Sequence, residues 1–409
     1  MNRLLLLIPT STYRTRDFMA AAAALDVAVV VGSDRRQALA GLTPGKTLAL
    51  DFARPAASVE KIVAFSKRYP VRTVVGVDDE TVVLAAMACS ALGLPHNPVP
   101  SVRASRYKHL MRQMLAEKGL PSPGFRLFSV RDQPAAAAAA VDYPCVLKPV
   151  SLSASRGVIR ADQKAEFVTA FDRILELISE SEDSSPEARH CVLVEDYIPG
   201  REVALEGLLV DGELQTLALF DKPDPLCGPY FAETLYTTPS RLPERIQERV
   251  RGAAQEATRA LGLTVGPVHA ELRLNTRGIY VVEIAARSIG GLCSRVLRFG
   301  AGVSLEELIL RQATGHASGD LRRENAAAGV MMLPVPRAGT LRCVRGAACA
   351  RRVPEVVDVT ITVPRGQPVQ PLPEGDRYLG FIFARGRTPE VVEAALREAN
   401  GLLEVVIEG

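Results

Sequence analysis

Two glutamates, Glu271 and Glu283, lie on short runs that have the composition of β-strands. The first run alternates polar and apolar side chains, and the second is rich in β-branched residues. A turn-forming segment separates them, and we predict a three-residue loop from Thr276 to Gly278, with Gly278 at a positive φ. This register places Glu271 opposite Glu283 on one face of a hairpin, with Cβ atoms about 4.5–5.5 Å apart.

Carboxylates at this distance repel each other unless a cation or a shared proton lies between them. Arg287 and the pair Gly290-Gly291 follow the second strand, so an anion-binding loop would adjoin the two carboxylates. The pattern therefore predicts a Mg²⁺ site beside an anion site. The alternative is the solvated face of an ordinary hairpin, on which Glu and Arg are common.

Two further side chains could act on a substrate near this hairpin. His269 points to the same face as Glu271 by strand parity, where it could act as a base or orient another group. The alternative is a packed or hydrogen-bonded strand histidine. Glu233, in a predicted loop, could bind a substrate ammonium, although a solvated surface glutamate would look the same.

Lysines upstream of the glutamates form a second candidate set. Residues 101–119 predict one basic amphipathic helix, which carries Lys108. Lys148 ends a predicted strand and precedes a loop of small residues, 151–157. This loop contains Ser153, Ser155 and Gly157. Small residues let backbone N–H groups approach a phosphate, and lysine supplies positive charge. An ordinary hairpin loop with a surface lysine is the alternative.

The composition is that of an ordinary globular protein. Its 409 residues are too many to pack around one hydrophobic core. Of these residues, 47% are apolar and 23% are charged. The net charge of +3 gives no electrostatic reason to expect nucleic acid or a membrane surface as a partner. The cysteines form no Cys-x-x-Cys pair, and no apolar run is long enough for a signal peptide or a membrane span. We therefore expect a reduced, cytoplasmic protein.

The chain divides into four predicted parts that combine α/β and α+β architecture. Residues 1–100 alternate short apolar strands with helices, which predicts an N-terminal parallel βαβ domain. It lacks Gly-x-Gly-x-x-Gly after its first strand, so a dinucleotide site is unsupported. Residues 101–190 and 191–320 mix strands with longer helices, and residues 325–409 predict a small C-terminal α+β domain.

This order of features resembles the ATP-grasp superfamily, in which two α+β subdomains clamp ATP between them. The motifs that carry the resemblance are KHLMRQMLAEKGLPSP (108–123), VLKPVSLSASRGV (146–158), VEDYIPGREVALEGLL (194–209), and HAELRL with VVEIAARSIGG (269–291). Within the superfamily the chain looks most similar to bacterial L-amino-acid ligases, which are carbamoyl-phosphate-synthetase-like and biotin-carboxylase-like enzymes. That similarity rests on DKPDPLCGPYFAETLYTTPS (221–240) and PLPEGDRYLGFIFARGRTPEVVEAALREA (371–399).

The resemblance implies a two-subdomain ATP-grasp clamp. Residues 101–190 would hold the phosphate loop and residues 191–320 the Mg²⁺ site, after a pre-ATP-grasp domain. The lysines would contact the α- and β-phosphates under the loop, Glu195 would lie by the adenine amino group, and Glu202 would hold the ribose. The implied ATP-binding residues are Lys108, Lys148, Ser153, Ser155, Gly157, Glu195, Tyr197, Ile198 and Glu202.

The resemblance also implies that Glu271 and Glu283 bind Mg²⁺, for which Mn²⁺ could substitute. Arg287 would hold a substrate carboxylate or an acyl phosphate. The further catalytic candidate is His269, and the further substrate candidates are Glu233, Gly290 and Gly291. The superfamily commonly has Glu-x-Asn after the second metal glutamate, but here Ala285 replaces the Asn. The second Mg²⁺ would then be held by Glu283, phosphates and water.

The implied chemistry is ATP-dependent amide-bond formation. A carboxylate is a poor acylating agent at neutral pH, and phosphorylation by ATP gives it a good leaving group. Phosphoryl transfer needs positioning and charge neutralisation more than acid–base residues. We therefore expect a ligase that joins an L-amino acid to a second amino acid or amine and releases ADP and phosphate. Its partners would be small-molecule carboxylates and amines, and a homodimer is the family-level expectation.

Two alternatives remain open at this point. Biotin-carboxylase-like and purine-pathway relatives share the clamp but carry out ATP-dependent carboxylation or formylation, using bicarbonate or formate. A non-catalytic nucleotide-binding regulator is the second alternative, and Ala285 is the feature that favours it.

Overall fold

The computed structural model describes residues 3–35, 45–181, 183 and 185–409. The N-terminal part forms an all-parallel sheet with the strand order β3-β2-β1-β4, which confirms the predicted βαβ architecture. Its strands are β1 (Arg3–Leu7), β2 (Ala28–Ser33), β3 (Thr47–Ala49) and β4 (Val71–Gly76), and its helices are α1 (Thr15–Ala24), α2 (Pro55–Arg68) and α3 (Asp79–Leu92). The central strand β1 is buried on both faces, as its unbroken run of leucines predicts.

The single helix predicted over residues 101–119 is wrong, because two helices occupy this stretch. They are α4 (Val99–Arg106) and α5 (Lys108–Glu117). Tyr107 between them is extended, and the N–H of Lys108 donates to the carbonyl of Val150 at 2.9 Å. This bond to another segment replaces a bond within a continuous helix. Lys108 consequently begins α5 beside the predicted phosphate loop.

A four-stranded antiparallel sheet follows, with the order β5-β8-β6-β7. Its strands are β5 (Phe125–Ser129), β6 (Cys145–Pro149), β7 (Ile159–Ala161) and β8 (Cys191–Asp196), and its helices are α6 (Pro134–Ala139), α7 (Lys164–Glu180) and α8 (Pro186–His190). Helix α7 packs Phe167, Phe171 and Ile174 against the sheet. The strands β6 and β7 flank the small-residue loop, as predicted.

The largest sheet has eight strands in the order β13-β12-β9-β10-β11-β14-β18-β16. Its strands are β9 (Arg201–Val210), β10 (Glu213–Asp221), β11 (Leu235–Thr238), β12 (Gly266–Asn275), β13 (Gly278–Ala285), β14 (Ala327–Leu333), β16 (Val356–Ile361) and β18 (Gly380–Gly386). Helix α9 (Glu244–Ala260) packs on the face that contains Leu205, whereas α10 (Leu305–Thr314) packs on the face that contains Ala204. The two faces of β9 therefore follow its strand alternation.

The C-terminal part has the predicted α+β composition, but it shares this large sheet. Its strands β14, β18 and β16 extend the sheet beyond β11. A separate three-stranded sheet, in the order β17-β15-β19, and two helices complete it. These elements are β15 (Gly339–Arg345), β17 (Pro368–Val369), β19 (Glu404–Glu408), α11 (Ala347–Ala350) and α12 (Pro389–Gly401). The division after residue 320 stays a prediction.

No helix among the described residues is both long and apolar enough to cross a membrane.

Candidate active site

The hairpin of β12 and β13 pairs Glu271 with Glu283, as predicted, but through a different turn. Asn275 pairs with Gly278, so the loop has two residues rather than three, and Gly278 has no positive φ. A bulge in β13 shifts the register between Glu271 and Leu272. The extra residue in the bulge offsets the shorter loop, and the pairing of the glutamates is restored.

An ammonium ion from the chain itself lies among the glutamates of this face. Lys222 follows β10, and its Nζ donates to Glu202 at 2.7 Å, to Glu233 at 2.5 Å and to Glu271 at 2.8 Å. The lysine is buried and also lies 5.0 Å from the centre of the Tyr236 ring. We call Lys222 and its three glutamates the acidic cluster.

The acidic cluster has the donor chemistry of a divalent metal site. One carboxylate oxygen from each of Glu202, Glu233 and Glu271 lies within 4.8 Å of the others. Hard cations such as Mg²⁺ take oxygen ligands of this kind. Glu283 is not part of this group, and its Oε1 lies 3.9 Å from the Nζ of Lys108. The residues therefore fit Mg²⁺, although the pairing of Glu271 with Glu283 as its ligands stays a prediction.

Burial and neighbouring charges shift the pKa values of the acidic cluster in different directions. Burial raises the pKa of Glu233 to about 7, and the repulsion from Glu271 adds to the shift despite Lys222. Burial also acts on Glu271, but Lys222 and His269 outweigh it and hold the pKa of Glu271 well below its usual value. The pKa of Lys222 is raised because the glutamates outweigh the effect of burial. Lys222 and Glu271 are therefore both charged at neutral pH.

His269 shares the face of Glu271, as strand parity predicts. Its Nδ1 lies 2.5 Å from Oε1 of Glu206, and its Nε2 lies 3.4 Å from Oε1 of Glu271. Burial lowers the pKa of His269, but these carboxylates outweigh burial and raise it to about 9. A histidine that keeps its proton at neutral pH is suited to orient Glu271 and unsuited to act as a general base. The other oxygen of Glu206 accepts from the N–H of Ile289 at 3.0 Å.

A second cluster has the opposite arrangement of charges. Glu195 of β8 is buried, and its oxygens lie 2.7 Å from Nζ of Lys148 and 2.8 Å from Nε of Arg112. The two cations outweigh burial and lower the pKa of Glu195. Burial lowers the pKa of Lys148, against the attraction of Glu195. We call these three residues the basic cluster. The predicted contact of Glu195 with adenine stays a prediction, and within the chain its carboxylate already binds two cations.

The loop of residues 151–157 closes over the end of β6 and is held from two sides. Lys108 Nζ donates to the carbonyl of Leu152 at 2.8 Å. From the C-terminal part, the carbonyl of Pro373 accepts from the N–H of Gly157 at 2.8 Å. Gly157 has a φ of +71°, and an added Cβ would lie 2.8 Å from the ring of Pro149. Glycine is therefore required here both by conformation and by space.

The residues predicted at the adenine and the ribose surround Arg273. Its Nη1 donates to the carbonyl of Ile198 at 2.8 Å, and its Nε donates to Glu202 at 2.7 Å. Its guanidinium also lies over the ring of Tyr197, 5.4 Å from the centroid. Arg273 thus fixes Glu202 from one side while Lys222 fixes it from the other.

The predicted substrate segment lies against the N-terminal part of the chain. Arg287 Nη2 donates to Oδ2 of Asp79 at 2.7 Å, and Asp79 begins α3. Burial opposes the charge of Asp79, but Arg287 outweighs it and lowers the pKa of Asp79. Gly290 is open to further atoms, whereas Gly291 has a φ of +60° and packs against Phe381. The guanidinium of Arg287 and the carboxylate of Asp79 therefore lie side by side.

One pocket brings together most of the predicted site. Its lining includes Lys108, Lys148, Ser153, Ser155, Glu195, Tyr197, Ile198, Glu202, Glu233, Glu271 and Glu283. The predicted residues outside this lining are Gly157, His269, Arg287, Gly290 and Gly291. His269 lies one contact away, behind Glu271. The basic and acidic clusters therefore face one shared space.

Sequence reasoning missed three side chains that organise this pocket. Arg273 had a signal, because it alternates with His269 and Glu271 on one face of β12. Arg112 lay on the helix that was recognised as basic, yet nothing local pointed it at Glu195. Lys222 had no local signal, since its partners lie 11 to 49 residues away in the chain.

Three family models match this chain in succession. Residues 19–96 match the ATP-grasp N-terminal domain, residues 141–296 the ATP-grasp domain, and residues 331–408 the L-amino acid ligase C-terminal domain 2. The boundaries predicted from the sequence after residues 100, 190 and 320 stay predictions.

Two known proteins are similar in sequence to part of this chain. An uncharacterised protein of Sinorhizobium fredii, y4rH, is 29% identical over 296 residues, which are 72% of this chain and 60% of that protein. The alanine–anticapsin ligase of Bacillus subtilis is 26% identical over 268 residues, which are 62% of this chain and 56% of that protein. The chain thus spans less than two thirds of the length of these relatives.

A solved structure matches the chain from end to end. The crystal structure of an L-amino acid ligase from Bacillus licheniformis superimposes with a TM-score of 0.86 at 25% identity, over 100% of this chain and 99% of that one. Together with the three family matches, this likeness shows that the chain belongs to the ATP-grasp superfamily and has the architecture of an L-amino acid ligase.

Proposed function

We propose that this chain is an ATP-dependent carboxylate–amine ligase that forms an amide bond between an L-amino acid and a second amino acid or amine. ADP and phosphate would be the other products. The observation that carries the proposal is the end-to-end likeness to an L-amino acid ligase. The match of residues 331–408 to a ligase C-terminal domain favours this chemistry over carboxylation or formylation.

In the first step, a substrate carboxylate oxygen would attack the γ-phosphorus of ATP, and ADP would leave with the bonding electron pair. The basic cluster and Lys108 supply positive charge on the side of the pocket where the phosphates would lie. The carboxylates of Glu271 and Glu283 would hold Mg²⁺, or Mn²⁺ in its place, and the metal would neutralise charge on the transferred phosphoryl group. The loop of residues 151–157 would exclude water.

In the second step, the nitrogen lone pair of a neutral amine would attack the carbonyl carbon of the acyl phosphate. The C–N bond forms, the bond between the carbonyl carbon and the phosphate oxygen breaks, and phosphate leaves with that electron pair and takes up the proton that the amine loses. His269 would hold Glu271 in place during both steps, because its raised pKa keeps it protonated. Arg287 beside Asp79 offers a positive and a negative group, as an amino acid's carboxylate and ammonium require.

The partners in this proposal are small-molecule carboxylates and amines. A homodimer and a cytoplasmic location stay predictions.

The test is release of ADP and phosphate from Mg²⁺-ATP with single L-amino acids and with all their pairs. Release that requires a particular pair, with a condensed product found by mass spectrometry, is the expected result. Release with bicarbonate or formate and no amine would instead indicate carboxylation or formylation. Tight ATP binding without ADP release under any condition would indicate a regulator.

A further inference from the structure

The loop of residues 151–157 contains a tight turn whose two central residues have an unfavourable backbone conformation. The N–H of Arg156 donates to the carbonyl of Ser153 at 3.1 Å, which closes the turn. Between them, Ala154 and Ser155 have φ values of +55° and +56°. Both residues carry a Cβ, which disfavours this left-handed conformation, and turns with two such residues usually contain glycine, asparagine or aspartate. Such a conformation persists only where the surrounding structure holds it in place.

The two ends of this loop are held by different parts of the chain. Before the turn, basic side chains of α4 and α5 donate to its backbone carbonyls. After the turn, the carbonyl of Pro373 accepts from the N–H of Gly157, and the carbonyl of Glu374 accepts from Nε of Arg156 at 3.0 Å. The bond to Arg156 spans 218 residues of the chain. The shape of the loop therefore depends on a segment of the C-terminal part.

The side chain of Glu374 connects the same segment to helix α7. Its Oε1 accepts from Nε of Arg173 at 2.8 Å and from Nη2 of the same guanidinium at 2.5 Å. The third nitrogen of Arg173, Nη1, donates to the hydroxyl of Tyr230, and the guanidinium lies over that ring at 5.4 Å from its centroid. Charge-assisted bonds from a planar guanidinium fix the orientation of both partners. Arg173 thus holds Glu374 in a defined position.

Helix α7 covers the sheet from which the loop projects. The loop joins β6 to β7, and α7 packs Phe167 and Phe171 on this sheet. Tyr230 closes the network, because it forms a bridge with Ile159, the first residue of β7. Glu374 therefore binds the end of the loop through its carbonyl and the helix behind the loop through its carboxylate.

The exposure of this ion pair separates positioning from stability. The side chains of Arg173 and Glu374 are 34% and 33% exposed, and ion pairs this accessible to water contribute little to the free energy of unfolding. The pair can nevertheless fix the direction from which residues 373–374 approach the loop. We therefore expect its loss to change the loop more than the fold.

We infer that Glu374 is a positioning residue for ATP: paired with Arg173, it keeps the turn at Ala154 and Ser155 in the shape that lines the nucleotide pocket. Both turn residues line this pocket, whereas Glu374 lies outside its lining. This inference rests on the proposed function, because it takes ATP as the ligand of the pocket. It adds a residue of the C-terminal part that determines the affinity for ATP.

The first test is hydrogen exchange of the loop amides, followed by mass spectrometry on the full chain without nucleotide. Glu374→Arg sets two guanidinium groups against each other, whereas Glu374→Arg combined with Arg173→Glu restores an opposite pair in reverse. We expect the hydrogen-bonded amides of residues 156–158 to exchange at least about fivefold faster in the single variant. In the double variant their exchange should return to within about twofold of the unaltered protein. Glu398→Arg, at an exposed position of α12, is the matched control and should leave the loop unchanged.

The second test measures nucleotide affinity in the same variants. Titration with a non-hydrolysable ATP analogue and Mg²⁺ should give a Kd about five- to tenfold higher in Glu374→Arg, and most of this loss should be recovered in the double variant. KM for ATP should rise with Kd, while kcat for ADP release stays within about twofold, because no group at the reacting atoms has changed. A merely structural contact would lower Tm without this separation of KM from kcat.

Unchanged loop exchange and unchanged Kd in Glu374→Arg would overturn the inference, as would a loss that the double variant does not recover. Failure of the unaltered protein to bind the ATP analogue would instead refute the proposed function. The exchange experiment uses no nucleotide, so it tests the hold of Glu374 on the loop in either case.

A milder variant keeps the inference testable if Glu374→Arg does not fold. Glu374→Gln retains the shape and one acceptor oxygen but removes the charge that Arg173 binds. We expect the amides of residues 156–158 to exchange about two- to threefold faster, with Tm within about 2 °C of the unaltered protein. Glu398→Gln is the control. Loop exchange in Glu374→Gln equal to that in Glu398→Gln would contradict the inference.

Discussion

The acidic and basic clusters face each other in one pocket and are built in opposite senses. The acidic cluster encloses one ammonium, Lys222, with three carboxylates, whereas the basic cluster encloses one carboxylate, Glu195, with two cations. In each, a single central ion permits burial of several like charges that would otherwise repel. The surplus charge that remains is negative where a metal would bind and positive where phosphates would bind.

The two central ions, Lys222 and Glu195, also differ in whether a metal ion can replace them. We propose that a divalent cation can take the place of Lys222, because three carboxylate oxygens lie within 4.8 Å of one another around it and carboxylates are typical ligands of hard cations. No metal ion can replace Glu195, since its neighbours are an ammonium and a guanidinium. Removing either central ion should therefore lower the free energy of unfolding by a similar amount, but added metal should restore stability only where Lys222 is removed.

The largest expected effect is on stability. Lys222→Met and Glu195→Gln each leave buried like charges without their counter-ion, so each should lower the free energy of unfolding by about 3–5 kcal/mol. Mg²⁺ at millimolar concentration should restore much of the loss in Lys222→Met and little of it in Glu195→Gln. Urea unfolding with and without Mg²⁺ measures both effects.

Lys118→Met is the control for this pair, because Lys118 is exposed at the end of α5. It should unfold like the unaltered protein with or without Mg²⁺. Equal rescue of Lys222→Met and Glu195→Gln by Mg²⁺ would show that the contrast between the clusters is wrong.

The next effect concerns turnover on the acidic side. Glu271→Gln keeps the shape of the side chain but removes the charge shared by Lys222, His269 and the proposed metal. We expect the rate of ADP release to fall about 1000-fold, which corresponds to about 4 kcal/mol of transition-state stabilisation. Glu256→Gln, at an exposed position of α9, is the matched control. Turnover within about threefold of the unaltered protein would exclude Glu271 as a metal ligand.

The hairpin that carries Glu271 and Glu283 was only partly predictable from the sequence. The pairing of Glu271 with Glu283 was predicted correctly, but two errors cancelled, because neither the two-residue turn nor the bulge in β13 was foreseen. A bulge depends on how neighbouring strands twist and pack, which the hairpin sequence alone does not report. Local patterns thus identified the pair Glu271 and Glu283 better than they identified the geometry of its hairpin.

Contacts between distant segments were the part that no local pattern reported. Lys222 reaches glutamates on three other segments, and the break at Tyr107 depends on a bond to Val150. The C-terminal strands were recognised, but their addition to the central sheet was not, since strand order is set by tertiary packing. The sheets and helices followed from periodicity, whereas the charge clusters required the folded chain.

The pH dependence of stability also distinguishes the acidic cluster from the basic cluster, because a titrating histidine contacts the acidic cluster. The pKa of His269 is raised to about 9 in the folded chain, above its ordinary value of 6.5. The stabilisation of the folded chain by protonated His269 is therefore fully present below pH 6.5 and is lost as the pH rises through about 9. We expect the unaltered protein to lose about 3 kcal/mol of stability between pH 6 and pH 10, relative to His269→Gln.

Urea unfolding of both proteins across this pH range measures the difference. His316→Gln, at an exposed position after α10, controls for loss of a histidine in general and should follow the unaltered protein. Parallel pH profiles for the unaltered protein and His269→Gln would mean that the imidazolium does not stabilise the acidic cluster.

The smallest effect is expected on the basic side, in the loop that covers it. Gly157→Ala places a Cβ 2.8 Å from the ring of Pro149 at a φ of +71°, so it should destabilise the chain by about 1–2 kcal/mol and raise KM for ATP several-fold. Gly252→Ala in α9 is the matched control. Its Cβ meets nothing within 4 Å, so the better helix propensity of alanine should stabilise the chain by about 1 kcal/mol. If the free energy of unfolding falls in Gly157→Ala and rises in Gly252→Ala, the shape of the loop requires glycine at position 157. If it rises in both variants, the loop tolerates a side chain above the basic cluster.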